Sequence, residues 1–283
     1  MIKKLYFSML LVAGLAMAAC SSDDSETTPA IKTYTMTVDA TKGTNDAVKH
    51  IATRALSLDE HTLNASWATT EQVYVQGTYK GTPTKFWFKG SIKPQYAGTT
   101  TRLNGVVSLP DDCAYPSLDD AIDDPHILTL QFPRKGDRVY TGQVGTLADI
   151  AANYDYAIAS NVRVDVATDK VIGVKEVKFE NQQAIVKFTL KYPDGTTLMN
   201  PTALTVKYGE ETLSLTIPAS TYETNGNGVL FVAIPGEDSE DLLEFEGKKV
   251  ILTATAGSEY TFIKSGVTFE NGQYYEINVK MKS

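Results

Sequence analysis

Thr33-Tyr34-Thr35-Met36-Thr37-Val38 is the stretch from which the fold class can be read. Tyr34, Met36 and Val38 alternate with threonines, so the apolar side chains share one face of an extended chain. A helix would space them by three and four. Working outward, the same period recurs at 72–75, 85–88, 102–108, 127–132, 156–159 and 161–166. It continues at 176–179, 183–192, 204–208, 211–217, 228–234, 248–255 and 274–281. Pro193-Asp194-Gly195, Asn225-Gly226-Asn227-Gly228 and Asn271-Gly272 separate several of these runs and supply turns with positive φ at little steric cost. Helix is confined to two short candidates, 117–122 capped by Ser117 and 147–152 opened by Thr146. Short strands at such spacing predict an all-β chain of antiparallel sandwiches and argue against a parallel α/β sheet. A 283-residue chain with 42% hydrophobic residues is long enough for two cores. Asp169, Lys170 and Gly173 interrupt two strand runs and place the domain boundary within 166–173.

The first residues are an export address. Lys3 and Lys4 precede an apolar run from Leu5 to Ala18. At roughly 14 residues this run falls short of the about 20 that a membrane span needs. Met17-Ala18-Ala19-Cys20 has the form of a lipobox, with cleavage before Cys20 and acylation of that cysteine; an ordinary signal peptide carrying a cysteine is the other reading. Two or three acyl chains on Cys20 would anchor the protein stably to the outer membrane. The acidic run Ser21-Ser22-Asp23-Asp24-Ser25-Glu26 resembles a tag for export to the outer face, and a solvated linker would read similarly. The domain expectation is therefore a signal peptide at 1–19, a lipidated pro-segment at 20–54, and β-sandwiches at 55–170 and 171–283.

Little in the chain points to catalysis. The 26 basic residues, Lys3 and Lys4 among them, face 34 acidic ones, a formal charge of -8 that becomes about -10 without the leader. Such a surface will not bind nucleic acid by neutralising phosphates. Beyond Cys20 only Cys113 remains, so no internal disulfide is available, and neighbouring Asp112 opposes thiolate formation. His50, His61 and His126 lack metal-ligand or catalytic spacing and read as surface residues. Asp111, Asp112, Asp119, Asp120, Asp123 and Asp124 could offer oxygens to Ca²⁺, but the regular loop pattern is missing and a solvated acidic loop is the preferred reading. No phosphate loop, nucleophile elbow or HExxH is present. No enzyme, cofactor or metal is expected. Trp67, Trp87 and Tyr79 could stack on a sugar, though packing is the simpler role.

Three features make sense together. Arg54, in Thr53-Arg54-Ala55-Leu56, follows a stretch containing Thr41, Gly43, Thr44 and Asn45, so it is expected in an accessible loop open to proteolysis. Tyr34, Met36 and Val38 near the start are spelled like Tyr275, Ile277, Val279 and Met281 near the end, so the two segments could occupy one groove. The final strand has no cap after it and is expected to be free to leave its own domain. Cleavage between Arg54 and Ala55 would release the first strand, a plug, and a neighbour's last strand would fill the groove by β-augmentation. Such a head-to-tail contact does not close and propagates as a filament.

The chain resembles the fimbrillin family, the subunits of type V pili, along nearly its whole length. The residues that carry the resemblance are the lipobox, Thr53-Arg54-Ala55-Leu56, Asn64-Ala65-Ser66-Trp67, Asp155-Tyr156-Ala157-Ile158-Ala159, Ala184-Ile185-Val186-Lys187-Phe188 and Phe231-Val232-Ala233-Ile234-Pro235. The ending Phe269-Glu270-Asn271-Gly272-Gln273-Tyr274-Tyr275-Glu276-Ile277-Asn278-Val279 completes them. The resemblance implies two transthyretin-like β-sandwich domains, an Arg-specific protease acting at Arg54-Ala55, and a C-terminal donor strand. It also implies assembly with copies of itself or related pilus subunits at the cell surface, as a stalk or tip. A lipid-anchored surface protein that binds glycan or host protein through Trp87 and Tyr79 without polymerising is the alternative. The acidic loop around Cys113 has no counterpart in the family pattern.

Overall fold

The computed structural model describes residues 31–42, 57–59, 62–78, 87–110, 126–133, 138–166, 170–238 and 247–283. The described chain is all-β and sandwich-like. Its first half runs through β1 (Ile31–Lys42), a small hairpin of β2 (Ser57–Asp59) and β3 (Thr62–Asn64), β4 (Val73–Thr78), β5 (Trp87–Pro94), β6 (Thr100–Pro110) and β7 (His126–Phe132). A short helix α1 (Leu147–Asp149) then passes directly into a π-helical turn (Ile150–Tyr154), followed by β8 (Ala157–Val166), β9 (Lys170–Gly173) and β10 (Val177–Asn181). All of these strands except the small hairpin belong to one sheet, ordered β10-β1-β6-β5-β4-β7-β8-β9. Strands β9 and β10 both pair with β8 on one side and with β1 on the other.

The second half contains β11 (Ala184–Lys191), β12 (Ala203–Tyr208), β13 (Glu211–Thr216), a short helix α2 (Ser220–Asn225), β14 (Val229–Ile234), β15 (Lys248–Ala256), β16 (Ser258–Val267) and β17 (Tyr274–Lys280). Here β14-β11-β17 faces β13-β12-β15-β16 across a core that includes Phe188, Met199, Val206, Tyr208, Leu252 and Phe269. The outer face of β14-β11-β17 is also covered. Ile150 packs there with Ile185, Phe231, Ala233 and Tyr274, and Tyr140, Leu147 and Tyr154 flank the cluster. This explains the unbroken apolar run Leu230-Phe231-Val232-Ala233-Ile234, all of it buried, where a strand with one wet face would alternate. Buried Gln143 extends the edge of β14 with its side chain, accepting from the Ala233 N–H and donating to the Ala233 carbonyl.

Several local expectations hold. Thr146 opens α1 by accepting from the Asp149 N–H, a cap that satisfies one of the helix's free donors. The two runs at 156–159 and 161–166 join into the single strand β8. Ser160 and Asn161 together lie opposite Thr129, and Asn161 takes φ +56°, so a bulge carries the chain across the apparent break. Residues 171–181 were expected in the second domain. They pair within the first sheet instead, and Val171, Val177 and Phe179 enter the first core. The cause is non-local: β9 and β10 complete the far side of β1. The candidate helix at 117–122 lies outside the described residues.

Burial sets a pH limit on this fold. Desolvation pushes the Tyr208 hydroxyl up to about 12, and it also raises Tyr140, Tyr222 and Tyr274 above the ordinary tyrosine value. An unfolded tyrosine ionises near about 10, so the unfolded chain sheds these protons first. The stabilisation is complete below about pH 10 and is lost as pH rises through about 12. The urea midpoint should fall steadily above pH 10, and absorbance titration should show these tyrosines ionising together with unfolding.

Candidate functional site

The site with distinctive construction is the seat of β1. Along its whole length β1 is antiparallel to β6, with Tyr34 opposite Val107, Met36 opposite Gly105 and Val38 opposite Leu103. On its other side Thr35–Thr37 runs parallel to Lys170–Ile172, and Ala40–Lys42 runs parallel to Val177–Phe179. A strand near the N-terminus thus lies between neighbours, with hydrogen-bonded ladders on both edges. Its inward face is Tyr34, Met36, Val38 and Ala40, each no more than 2% exposed, while Thr33, Thr35 and Asp39 face outward. Gly105 of β6 permits the close approach of β5 on the other side, since a Cβ there would fall 2.3 Å from the Ser91 carbonyl oxygen. At the surface Arg102 donates to Asp39 at 2.8 Å, and that hydrogen bond lowers the Asp39 carboxyl below its usual value.

The inward face ends on a charge that the sequence reading did not single out. Lys42 is 2% exposed and Glu71 fully buried. The Lys42 Nζ donates to both Glu71 carboxylate oxygens at 2.9 and 3.0 Å and to the Ser66 carbonyl at 3.1 Å. It also stands 4.1 Å from the Trp67 ring centroid and 5.0 Å from that of Phe132. Trp67 meets Phe132 and Phe179 edge-on. Its role is therefore in the core, not in stacking on a sugar. A signal did exist: Lys42 shares the even-numbered parity of Tyr34, Met36, Val38 and Ala40.

Of the expected donor residues, Tyr275, Ile277 and Val279 lie in β17 and Met281 follows it; among the described residues β17 pairs, in parallel, with β11 alone and forms an edge of its sheet. Val279 and Met281 are fully buried in the second core, and Tyr275 and Ile277 are half-buried against it. Beyond the strand, Lys282 exchanges two backbone hydrogen bonds with Thr261 of β16, tying the end to the facing sheet. The expectation of a loose final strand therefore does not describe this structure. Among the described residues no strand lies beyond β17, but its apolar face is built in.

Cys20, Arg54 and Ala55 lie outside the described residues, as do Cys113, the acidic run from Asp111 to Asp124, and Tyr79. Of the Trp87 and His126 side chains nothing is described. Among the described residues no cluster of His, Cys, Asp or Glu is arranged to hold a metal, and no helix is long and apolar enough to cross a membrane. A cleft of about 420 Å³ lies between Pro201, Ile217 and Tyr222, rimmed by Asn200, Glu223 and Asn227.

Fold and site define an all-β, sandwich-like protein whose first described strand is seated between two neighbours. No family model and no curated protein matches the chain. Among solved structures it is similar to a fimbrial protein from Bacteroides ovatus, at 8% identity and TM-score 0.38 over 88% of this chain and 49% of that one. The chain thus spans about half the length of that protein. It is also similar to a fimbrial assembly protein from Parabacteroides distasonis, at 10% identity and TM-score 0.42 over 89% of this chain and 93% of that one. A third is the tip fimbrial protein Mfa3 from Porphyromonas gingivalis with C-terminal truncation, at 10% identity and TM-score 0.41 over 88% and 95%. These are fimbrial proteins, the kind named by the sequence resemblance. At such scores the likeness assigns no function to this chain.

Proposed function

We propose that this chain is a structural subunit, stalk or tip, of a cell-surface pilus, built as two transthyretin-like β-sandwich domains. It is exported as a lipoprotein acylated on Cys20 and held at the outer membrane until an Arg-specific protease cuts after Arg54. The observation that carries the proposal is the seating of β1. This strand ends at Lys42, the next described residue is Ser57, and Arg54 falls between them in sequence. A cut there severs the covalent tie between β1 and the rest of the fold, leaving the strand held by contacts alone. Its release opens a groove with a hydrogen-bonding edge on each side and pockets for Tyr34, Met36 and Val38, worth about 1.5–3 kcal/mol each.

Residues Tyr275, Ile277, Val279 and Met281 are the proposed donor strand to another subunit. Among the described residues β17 has one ladder in its own sheet, whereas the vacated seat of an acceptor offers two. The added main-chain bonds favour transfer, and the loss of Val279 and Met281 from the second core opposes it. That burial also favours the second reading, a lipid-anchored surface binding protein that keeps both strands in place and never polymerises.

Arg54→Ala separates the two. In a pilus subunit the variant should accumulate as a single lipidated species, with no filaments by electron microscopy and no terminus at Ala55 by mass spectrometry. Filaments of normal length from this variant would remove cleavage at Arg54 from the proposal. An unaltered chain that itself ends at lipidated Cys20, with no shorter species, would favour the anchored binder.

A further inference from the structure

Lys42 and Glu71 place a charge requirement at one end of the β1 seat. Four alternate positions, Tyr34, Met36, Val38 and Ala40, point into an apolar core, and the fifth delivers an ammonium to a fully buried carboxylate. The surroundings favour a cation in several ways. The Glu71 oxygens, the Ser66 carbonyl and the faces of Trp67 and Phe132 all converge on the Lys42 Nζ. When β1 leaves, Glu71 loses that ammonium. Water could solvate it in the open groove, but a new strand closing over it would expel the water. An incoming strand that supplies no cation would bury the carboxylate without the Lys42 ammonium at 2.9 and 3.0 Å, a penalty larger than a single methylene mismatch.

We propose that the Glu71 end of the seat selects its partner: it accepts an extended segment with alternate apolar residues that end in a lysine or arginine, and rejects an otherwise matched segment without one. This rests on the reading of β1 as a removable plug, and it deepens that reading by stating the chemistry of the replacement strand. Repulsion of the wrong partner does the selecting, through a desolvated charge that a lysine or arginine in the place of Lys42 neutralises.

The chain's own last strand does not meet the requirement. With Tyr275 in the place of Tyr34, Ile277, Val279 and Met281 take the places of Met36, Val38 and Ala40, and Ser283 falls where Lys42 stands. Lys280 and Lys282 have the other parity. Setting Lys282 at Glu71 would turn Glu276, Asn278 and Lys280 into the apolar core. Apolar match and cation therefore cannot both be supplied by this strand. The partner whose strand fills this seat is a related but different subunit, and copies of this chain alone should pair poorly.

The test uses the full chain with a site-specific protease sequence in place of residues 51–56. After cleavage it is challenged with labelled peptides. The peptide spanning residues 31–42 should enter the seat about tenfold or more tighter than its Lys42→Met version, with Lys42→Arg close to the parent. A peptide of residues 274–283 should gain affinity on Ser283→Lys. In protein carrying Glu71→Met, the preference for lysine should vanish or invert. If that variant does not fold, the Lys, Arg and Met peptides on unaltered protein carry the comparison. Equal affinity of the Lys and Met peptides would overturn the selection while leaving the plug intact. Failure of every peptide to enter, with the cut β1 still bound, would overturn the removable plug and this inference with it.

Discussion

Replacing Lys42 with methionine in the uncut chain should lower its stability by about 3–5 kcal/mol, the cost of burying a carboxylate without its partner. The side chains of Lys42 and Glu71 are 1% and 0% exposed, so solvent screening relieves little of that. Lys42→Met combined with Glu71→Leu should recover most of the loss, because two apolar side chains of similar volume satisfy the same space. Urea unfolding of these two variants, of Glu71→Leu alone and of the unaltered chain measures the coupling. A single-variant loss below about 1 kcal/mol, the range of surface pairs, would mean that water reaches Glu71 and that the seat makes no charge demand. The exposed Arg102–Asp39 pair on the outward face of the same strand offers a contrast, since its removal should change little.

Deleting residues 274–283 should have the larger effect. It removes Val279 and Met281, both fully buried, and the half-buried Tyr275 and Ile277 from the second core. The two buried side chains alone contribute roughly 3–6 kcal/mol, comparable with the about 5–15 kcal/mol net stability of a whole domain. The second half should lose its cooperative transition by circular dichroism or calorimetry. Adding the peptide of residues 274–283 in trans should restore it in part. A truncated chain that melts as the full one does would show that β17 contributes nothing to its own core and is held in readiness for another subunit. Either result bears on Ile277→Asp: the side chain packs against the chain's own second core, so this charge would disturb the subunit itself as well as any assembly.

Most strands were legible because a sheet with one buried face imposes period two on local sequence. Tyr34-Thr35-Met36-Thr37-Val38, Val177–Asn181 and Ala203–Tyr208 all show it, and the structure places all three in sheets. Four strands escaped, the small hairpin of Ser57–Asp59 and Thr62–Asn64 among them. Of the other two, Lys170–Gly173 is only four residues long, and Ser258–Val267 has no fully buried side chain, so neither carries a strong apolar pattern. The first strand was recognised through Val38, but not its continuation to Lys42. A lysine is normally read as the point where a strand meets water, and only the position of Glu71, 29 residues away, makes it a buried residue. The last strand was legible as a strand, but its attachment was not. The hydrogen bonds of Lys282 to Thr261 join segments that share no local pattern.

By itself the sequence determined the all-β class, the alternating faces of β1 and β17, the cap at Thr146 and the position of Arg54 between the first strand and the rest. These depend on residues within a few positions of each other, or on order along the chain. Only the tertiary structure decided that β1 lies between β6 on one side and β9 and β10 on the other, that β17 is an edge strand closing its own core, and that Lys42 is buried on Glu71. Strand pairing and charge burial depend on which distant segments meet. The free energy of a buried ion pair or an added ladder exists only once they have met.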